Sequence, residues 1–390
     1  MKKILMLLEK HFPEDERVEK EAISLIEKGY EVHIASMCVK PPVEFEIYKG
    51  IHVHRKYIGP WLKKTSVGAL KAPFYFNYWR QFVREILESD SFHAIHVHDL
   101  PLGQVGYEAK QKYNIKYVLD LHEHWPALLE ASPHTHTFLG RLLSSNKQWE
   151  DYEVKMSQRA DRIIVVVEEA IDRLAGLGIS AEKITCVSNT ISIEGSDWGE
   201  LADHSGKEKI MGYAGGIQHL RGLQYVIQAM PILLRENPDI KLWIVGDGRH
   251  LSVLKESCQG ALEHSVRFFG HLSFHEMMNK INYFDIGLIP HLKSPLTDNT
   301  IPNKLFQYMY LQKPVLTSDC DPLKRIVEET QSGLAYPYDS PEALAEKALI
   351  LLSDDEKALT FGKNGKQAVE TKYNWEHDSA RLVELYDQLL

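Results

Sequence analysis

Arg221, in the stretch YAGGIQHLRG over residues 213–222, has the surroundings of an anion-binding residue. It follows two glycines, Gly215 and Gly216, which let a ligand approach the backbone closely, and it stands just before an expected helix. A guanidinium there can fork onto a diphosphate. A plain strand-to-helix turn with a surface arginine accounts for the same letters. Residues 242–248, LWIVGDG, read as a buried strand ending in a glycine turn at Gly246, which turn chemistry alone also explains. Residues 298–319 read as a loop, a helix and a strand. Pro302 suits a first helical turn, and Pro314 ends the helix because the residue before a proline is pushed out of the α region. A polar loop feeding such a helix offers free N–H groups to an anion. Lys304 stands one turn before Gln307 and shares its face.

Four His-x-His pairs occur, at His52/His54, His96/His98, His122/His124 and His134/His136. On a strand, residues i and i+2 share a face, so each pair could chelate an ion. The first pair has no acidic neighbour in sequence, and the others fall near strand ends, where polar residues line a cleft. The expectation is therefore no metal. His98-Asp99 and His122-Glu123 read as cleft residues that donate hydrogen bonds or tune protons.

These residues need a scaffold, and strand and helix signals alternate along the whole chain. That pattern implies an α/β architecture with parallel sheets. The first half reads as strands over 4–8, 31–36, 94–97, 117–121, 162–167 and 184–187, with helices over 17–27 and 102–112 and a long one ending near Gln158. The second half reads as strands over 210–213, 240–245, 266–269 and 285–289, with helices over 223–234 and 274–281. Residues 191–207 are rich in Gly, Ser and Asp without periodicity and read as a linker. The expected division is 1–190, the linker 191–207, 208–374, and a closing helix over 375–390. Two doubly wound halves imply a cleft, with ligands at the carboxyl ends of strands.

At 390 residues and 44% hydrophobic content the chain can bury two cores. A net charge of −9 argues against nucleic acid as a partner. Cys38, Cys186, Cys258 and Cys320 are scattered without a CxxC, which suits a reducing compartment. The apolar run at residues 4–8 is stopped by Glu9 and Lys10 and is too short for a leader or a span, so a cytoplasmic chain is expected. Residues 49–84 carry eight basic residues and eight aromatics and no acid. They read equally as a surface for anionic lipid, peripheral at the inner membrane face, or as a solvated basic face over a helix whose aromatics are core.

Taken in order, PEDERVEKEAISLIEKGYEVHIAS, VHDLPLG, DLHEHWP, VSNT, YAGGIQHLRG, LWIVGDG, VRFFGHL, FDIGLIP, IPNKLFQYM and YNWEHDSARLVELY resemble the retaining glycosyltransferases of family 4 over nearly the whole chain. The resemblance implies a GT-B fold: two Rossmann-like doubly wound parallel-sheet domains facing across a cleft. It implies transfer of a sugar from a nucleotide-sugar donor to a glycan or polyprenyl-linked acceptor, in cell-surface polysaccharide or glycolipid synthesis, with no cofactor and no metal. The implied donor side comprises Gly215, Gly216, Arg221, Gly246, Asn299, Thr300, Lys304 and Gln307. Arg221 contacts the diphosphate, and His122 lies near the transferred sugar; these two are the implied catalytic residues. The implied acceptor side comprises Arg17, His98, Asp99 and His124. Three positions depart from the family pattern. Gly216 stands where an arginine is usual, and Asn299 and Gln307 stand where two glutamates are usual. Lys304 is the candidate to supply the charge missing at Gly216. The alternatives are a nucleotide-sugar epimerase of the same fold and a non-catalytic nucleotide-sugar-binding subunit.

Overall fold

The structure, a computed structural model, describes residues 1–40, 43–132, 144–194 and 208–390. It divides into two compact units, one of residues 1–188 with 378–390 and the other of residues 189–377. Most of the expected linker, and the pair His134/His136, lie outside the described residues.

The first unit is built on an eight-stranded sheet. Its strands are β1 (Lys3–Leu8), β2 (Glu31–Cys38), β3 (Phe45–Tyr48), β4 (Ile51–Tyr57), β5 (Ala94–His98), β6 (Lys116–Leu121), β7 (Arg162–Val165) and β8 (Ile184–Cys186), in the spatial order 3-4-2-1-5-6-7-8. Central strands such as KILMLL of β1 are buried almost throughout, as a sheet covered on both faces requires. β3 departs from the all-parallel expectation and runs antiparallel to β4. Lys49 and Gly50 both have positive φ, the backbone of a two-residue hairpin turn whose twist suits the flanking strands. No strand is legible there in the sequence because the edge strand is half exposed and its apolar residues, Phe45 and Ile47, face outward.

The second unit carries a six-stranded parallel sheet: β9 (Lys209–Ala214), β10 (Ile240–Val245), β11 (Val266–Gly270), β12 (Ile286–Ile289), β13 (Val315–Ser318) and β14 (Gly333–Tyr336), in the order 11-10-9-12-13-14. The chain winds outward from β9 through β10 to β11, then returns to β12 beside β9. That reversal opens a crevice at the carboxyl ends of β9 and β12, the usual ligand position in such sheets. β1 and β5 bear the same relation in the first unit. The helix Trp375–Leu389 closes the chain, and its Tyr386 is fully buried.

Candidate active site

In the first unit the site begins with a helix that buries charge. Asp15 caps Glu16–Glu27 by accepting from the Val18 N–H, and Arg17, Glu21 and Ser24, spaced four and three apart, form one buried polar stripe. The stripe meets the ends of β5 and β6. Asp120 and His122 are two residues apart and approach each other at 2.8 Å, Oδ2 to Nε2. The same Oδ2 lies 3.3 Å from His98 Nδ1 and 3.4 Å from His96 Nε2. Arg17 reaches Asp120 Oδ1 at 3.4 Å, lies 2.9 Å from Glu21 Oε1 and donates to the Val187 carbonyl at 3.1 Å. Asp120, fully buried, is thus a hub for three imidazoles and a guanidinium.

The hub separates its histidines. Burial opposes a charge on His122, but Asp120 and Asp99 outweigh it and raise its pKa to about 9. Burial and the neighbouring His96 push His98 down to about 3, although Asp120 acts in the opposite direction. Burial also opposes the charge on Asp120, yet His122 and Arg17 hold it well below the usual carboxylate range. His122 is therefore charged at neutral pH and His98 neutral, the kind of split that lets adjacent groups take different roles. Asp99 follows with φ +66, a backbone conformation rare outside glycine, and its N–H donates to the Asp120 carbonyl at 2.8 Å. Strain of this kind persists where surrounding structure over-determines it. Of the residues expected on the acceptor side, Arg17, His98 and Asp99 gather here with His122. His124 does not: its Nε2 is 4.0 Å from Glu153, which accepts from the two terminal Arg173 nitrogens at 2.6 and 2.9 Å.

In the second unit the site is made of backbone and cations. Gly215 (φ +135) and Gly246 (φ +136) end β9 and β10 side by side. A Cβ on Gly246 would stand 2.0 Å from the Gly215 carbonyl oxygen, and one on Gly215 would stand 2.6 Å from Lys304 Nζ. Gly246 therefore demands glycine because its Cβ would meet fixed backbone, and Gly215 because of its positive φ. Lys304 Nζ lies 3.6 Å over the Tyr213 ring, whose hydroxyl donates to the Gly216 carbonyl at 2.8 Å. Arg221 NH1 donates to the His291 ring at 3.2 Å. Burial and then Arg221 push Lys304 well below its ordinary range, and no carboxylate is among the groups acting on it. Burial, Arg221 and Lys304 do the same to His291. Two basic side chains and a neutral imidazole thus crowd one another beside a glycine turn, with no carboxylate among the described residues paired to them.

The sequence expectation for the segment before β13 needs correction. Its helix is Lys304–Tyr310, capped at Asn303, so Pro302 precedes the helix and does not occupy its first turn. At two turns its dipole is small, and the charge that it brings to the site is the Lys304 side chain. Asn299 is buried, and its Nδ2 donates to the Pro295 carbonyl at 2.8 Å, so part of that amide is committed to holding its own loop. Thr300 and Gln307 are half-buried. Sequence reasoning missed Glu21, Asp120 and His291. The i, i+2 spacing of Asp120 and His122 and the i, i+4 spacing of Arg17 and Glu21 carried signals for two of them.

The basic and aromatic stretch divides. Tyr75, Phe76, Trp79 and Phe82 are core, and Lys49, Arg55, Lys56 and Arg80 are paired with Glu19, Glu46, Glu85 and Glu108. Trp61 and Phe74 remain 69% and 53% exposed, with ring centroids 6.0 Å apart, beside exposed Lys63 and Lys64. No helix among the described residues is long and apolar enough to cross a membrane.

Comparison with known proteins fits this geometry. A Glycosyltransferase Family 4 model matches residues 17–194, and a model described as Glycosyl transferases group 1 matches residues 200–368. An uncharacterized glycosyltransferase of Methanocaldococcus jannaschii is 24% identical over 388 residues, covering 94% of this chain and 91% of that protein. Sucrose-phosphate synthase from Thermosynechococcus elongatus superposes with a TM-score of 0.77 at 18% identity, over 100% of this chain and 99% of the other. Anabaena HepE in complex with UDP-glucose gives 0.72 at 17% identity, over the full length of both chains. The fold and the family expected from the sequence motifs both hold: two parallel-sheet α/β units in the GT-B class, matched end to end by sugar-transfer enzymes. The chain belongs to the glycosyltransferases, with a Family 4 first half and a group 1 second half.

Proposed function

We propose that the enzyme takes a nucleoside-diphosphate sugar as donor, transfers the sugar with retention of configuration and needs no metal to do so. The observation that carries this reading is the uncompensated positive site of Arg221 and Lys304, with His291, against the Gly215 turn. A diphosphate leaving group develops negative charge as its bond to the sugar breaks, and cations already held in place stabilise that charge without reorganisation. In the front-face route the sugar–phosphate bond breaks and the acceptor oxygen bonds the same face of the anomeric carbon. The acceptor proton passes to the departing phosphate oxygen. No carboxylate nucleophile is required. That HepE was crystallised with UDP-glucose supports a donor of this class. Charged His122, held by Asp120, is suited to donate a hydrogen bond to a hydroxyl of the transferred sugar.

The acceptor we assign is a glycan or polyprenyl-linked glycan of cell-surface polysaccharide or glycolipid synthesis. Trp61, Phe74, Lys63 and Lys64 support peripheral contact with anionic lipid, since aromatic rings seat at the headgroup level and lysines pair with the surface charge.

The deciding experiment is thermal unfolding with UDP, GDP, ADP, CMP and dTDP, with and without magnesium. A ligand at 100 times its dissociation constant adds about 2.7 kcal/mol. One nucleotide that stabilises the chain equally without magnesium supports the reading and names the base. No response to any of them would sink it, and with it the nucleotide-sugar-binding subunit that amides at Asn299 and Gln307 invite.

A further inference from the structure

β2 and β4 run parallel with His33 opposite His52. Alternation along the two strands puts Glu31 and His33 on the same sheet face as His52 and His54. Glu31 Oε1 lies 2.9 Å from His33 Nε2, and His33 Nδ1 lies 3.0 Å from His54 Nε2. The His33 and His52 rings stack with centroids 4.4 Å apart. One ligand atom each from Glu31, His33 and His52 falls within 4.8 Å of the other two. The sequence alone gave the His52/His54 pair no acidic neighbour; strand pairing supplies one in Glu31.

We propose that Glu31, His33 and His52 bind a divalent transition-metal ion of the Zn2+ or Co2+ class. Imidazole nitrogen with one carboxylate oxygen suits these ions better than the hard cations, which prefer oxygen alone. Ligand atoms on a tetrahedral ion with bonds of 2.0–2.1 Å stand ~3.3 Å apart, and Glu31 and His33 are already close to that spacing. His54 stands at His33 Nδ1, where a ligating histidine characteristically has an outer partner that fixes its tautomer and ring orientation. The Phe92 ring meets His33 edge-on at 4.9 Å and walls the inner side, while Glu31 and His52 are part-exposed and give the ion access. Lys3 Nζ, 2.9 Å from Glu31 Oε1, competes for that carboxylate, but it also pairs with Asp90 and can withdraw to it.

A second group, Glu21, His96, His98 and Asp120, is as tightly spaced. There the Arg17 guanidinium already lies 2.9 Å from Glu21 and 3.4 Å from Asp120, and it takes the place of a cation. The ion therefore belongs at the opposite edge of the sheet from His122. His33 and His52 lie at the amino ends of β2 and β4, and Asp120 and His122 lie at the carboxyl end of β6.

The test is titration of the tag-free full chain with Co2+ alone, followed by visible absorption, calorimetry and melting temperature. One ion per chain with the strong bands of a four- or five-coordinate site is expected, together with a raised melting temperature. Glu31→Gln and His52→Ala, at part-exposed positions, should each weaken binding by about 100-fold or more, and His54→Ala by about 10–100-fold. His122→Asn should leave Co2+ binding unchanged. Absence of stoichiometric binding overturns the proposal. So does binding that survives Glu31→Gln and His52→Ala, or binding that is lost with His122→Asn.

Discussion

The two units treat buried charge in opposite ways. Around Asp120 every charge has an opposite: Arg17 lies between Asp120 and Glu21, and His122 is protonated because two aspartates face it. Around Gly215 the charges repel. Burial and Arg221 depress Lys304, burial, Arg221 and Lys304 depress His291, and no carboxylate among the described residues acts on either. The first arrangement is complete and should be rigid. The second is complete only with an anion, so its instability in the free protein becomes affinity when a diphosphate arrives. A self-sufficient network positions groups, whereas a frustrated one binds.

Removing the hub should have the largest effect. Asp120→Ala leaves Arg17 and His122 buried without their counter-charge, and breaking such a pair costs about 3–5 kcal/mol. Chemical denaturation should show that loss, and an intact denaturation midpoint would mean that the hub is not structural. Next comes Arg221→Ala, expected to lower kcat/KM for transfer by about 10²–10³-fold with little loss of stability. A large loss of stability and a small loss of turnover would reverse the contrast. Lys304→Met is the sharper probe. It removes a destabilising charge, so the free chain should gain about 1 kcal/mol while affinity for a nucleoside diphosphate falls about tenfold. Equal signs for the two changes would show that Lys304 is not part of an anion site.

The smallest effect is the most diagnostic. The pKa of His122 is raised to about 9, so its stabilising contribution is full below its unfolded value of about 6.5 and is lost as pH rises toward 9. His291 is depressed, so it costs stability as pH falls below that same unfolded value and costs nothing above it. His122→Asn should flatten the alkaline limb of the stability profile, and His291→Asn the acidic limb. If each substitution flattened the other limb, the two environments would have been assigned the wrong way round.

Much of the fold could be read directly. The apolar runs of β1 and β10 and the punctuation by glycine and proline mark a doubly wound chain, and Gly215, Arg221, Gly246 and His122 declare themselves by position in turns. What escaped depends on pairing between segments distant in sequence. Nothing near His52 reveals Glu31, because their proximity comes from the register of β2 against β4. His291 follows Pro290 without any motif, and its value comes from standing against Arg221 across 70 residues of chain. Asp120 could have been seen, since it shares a strand face with His122, but the family pattern drew attention to the histidine alone. Pro302 misled because proline suits a first helical turn and a preceding loop equally well.

The His96 ring that borders Asp120 is held on its other side by Tyr386, Nδ1 to hydroxyl at 3.0 Å, and Tyr30 donates to Asp387 at 2.7 Å. These partners come from residues 378–390, which belong to the first unit although the whole second unit is synthesised before them. Domains commonly fold in the order in which they leave the ribosome. Here the first unit cannot place Tyr386 against His96 until the second unit has been synthesised. Assembly of the polar centre around Asp120 is thereby tied to synthesis of residues 378–390, and a product interrupted before them yields a first unit without Tyr386.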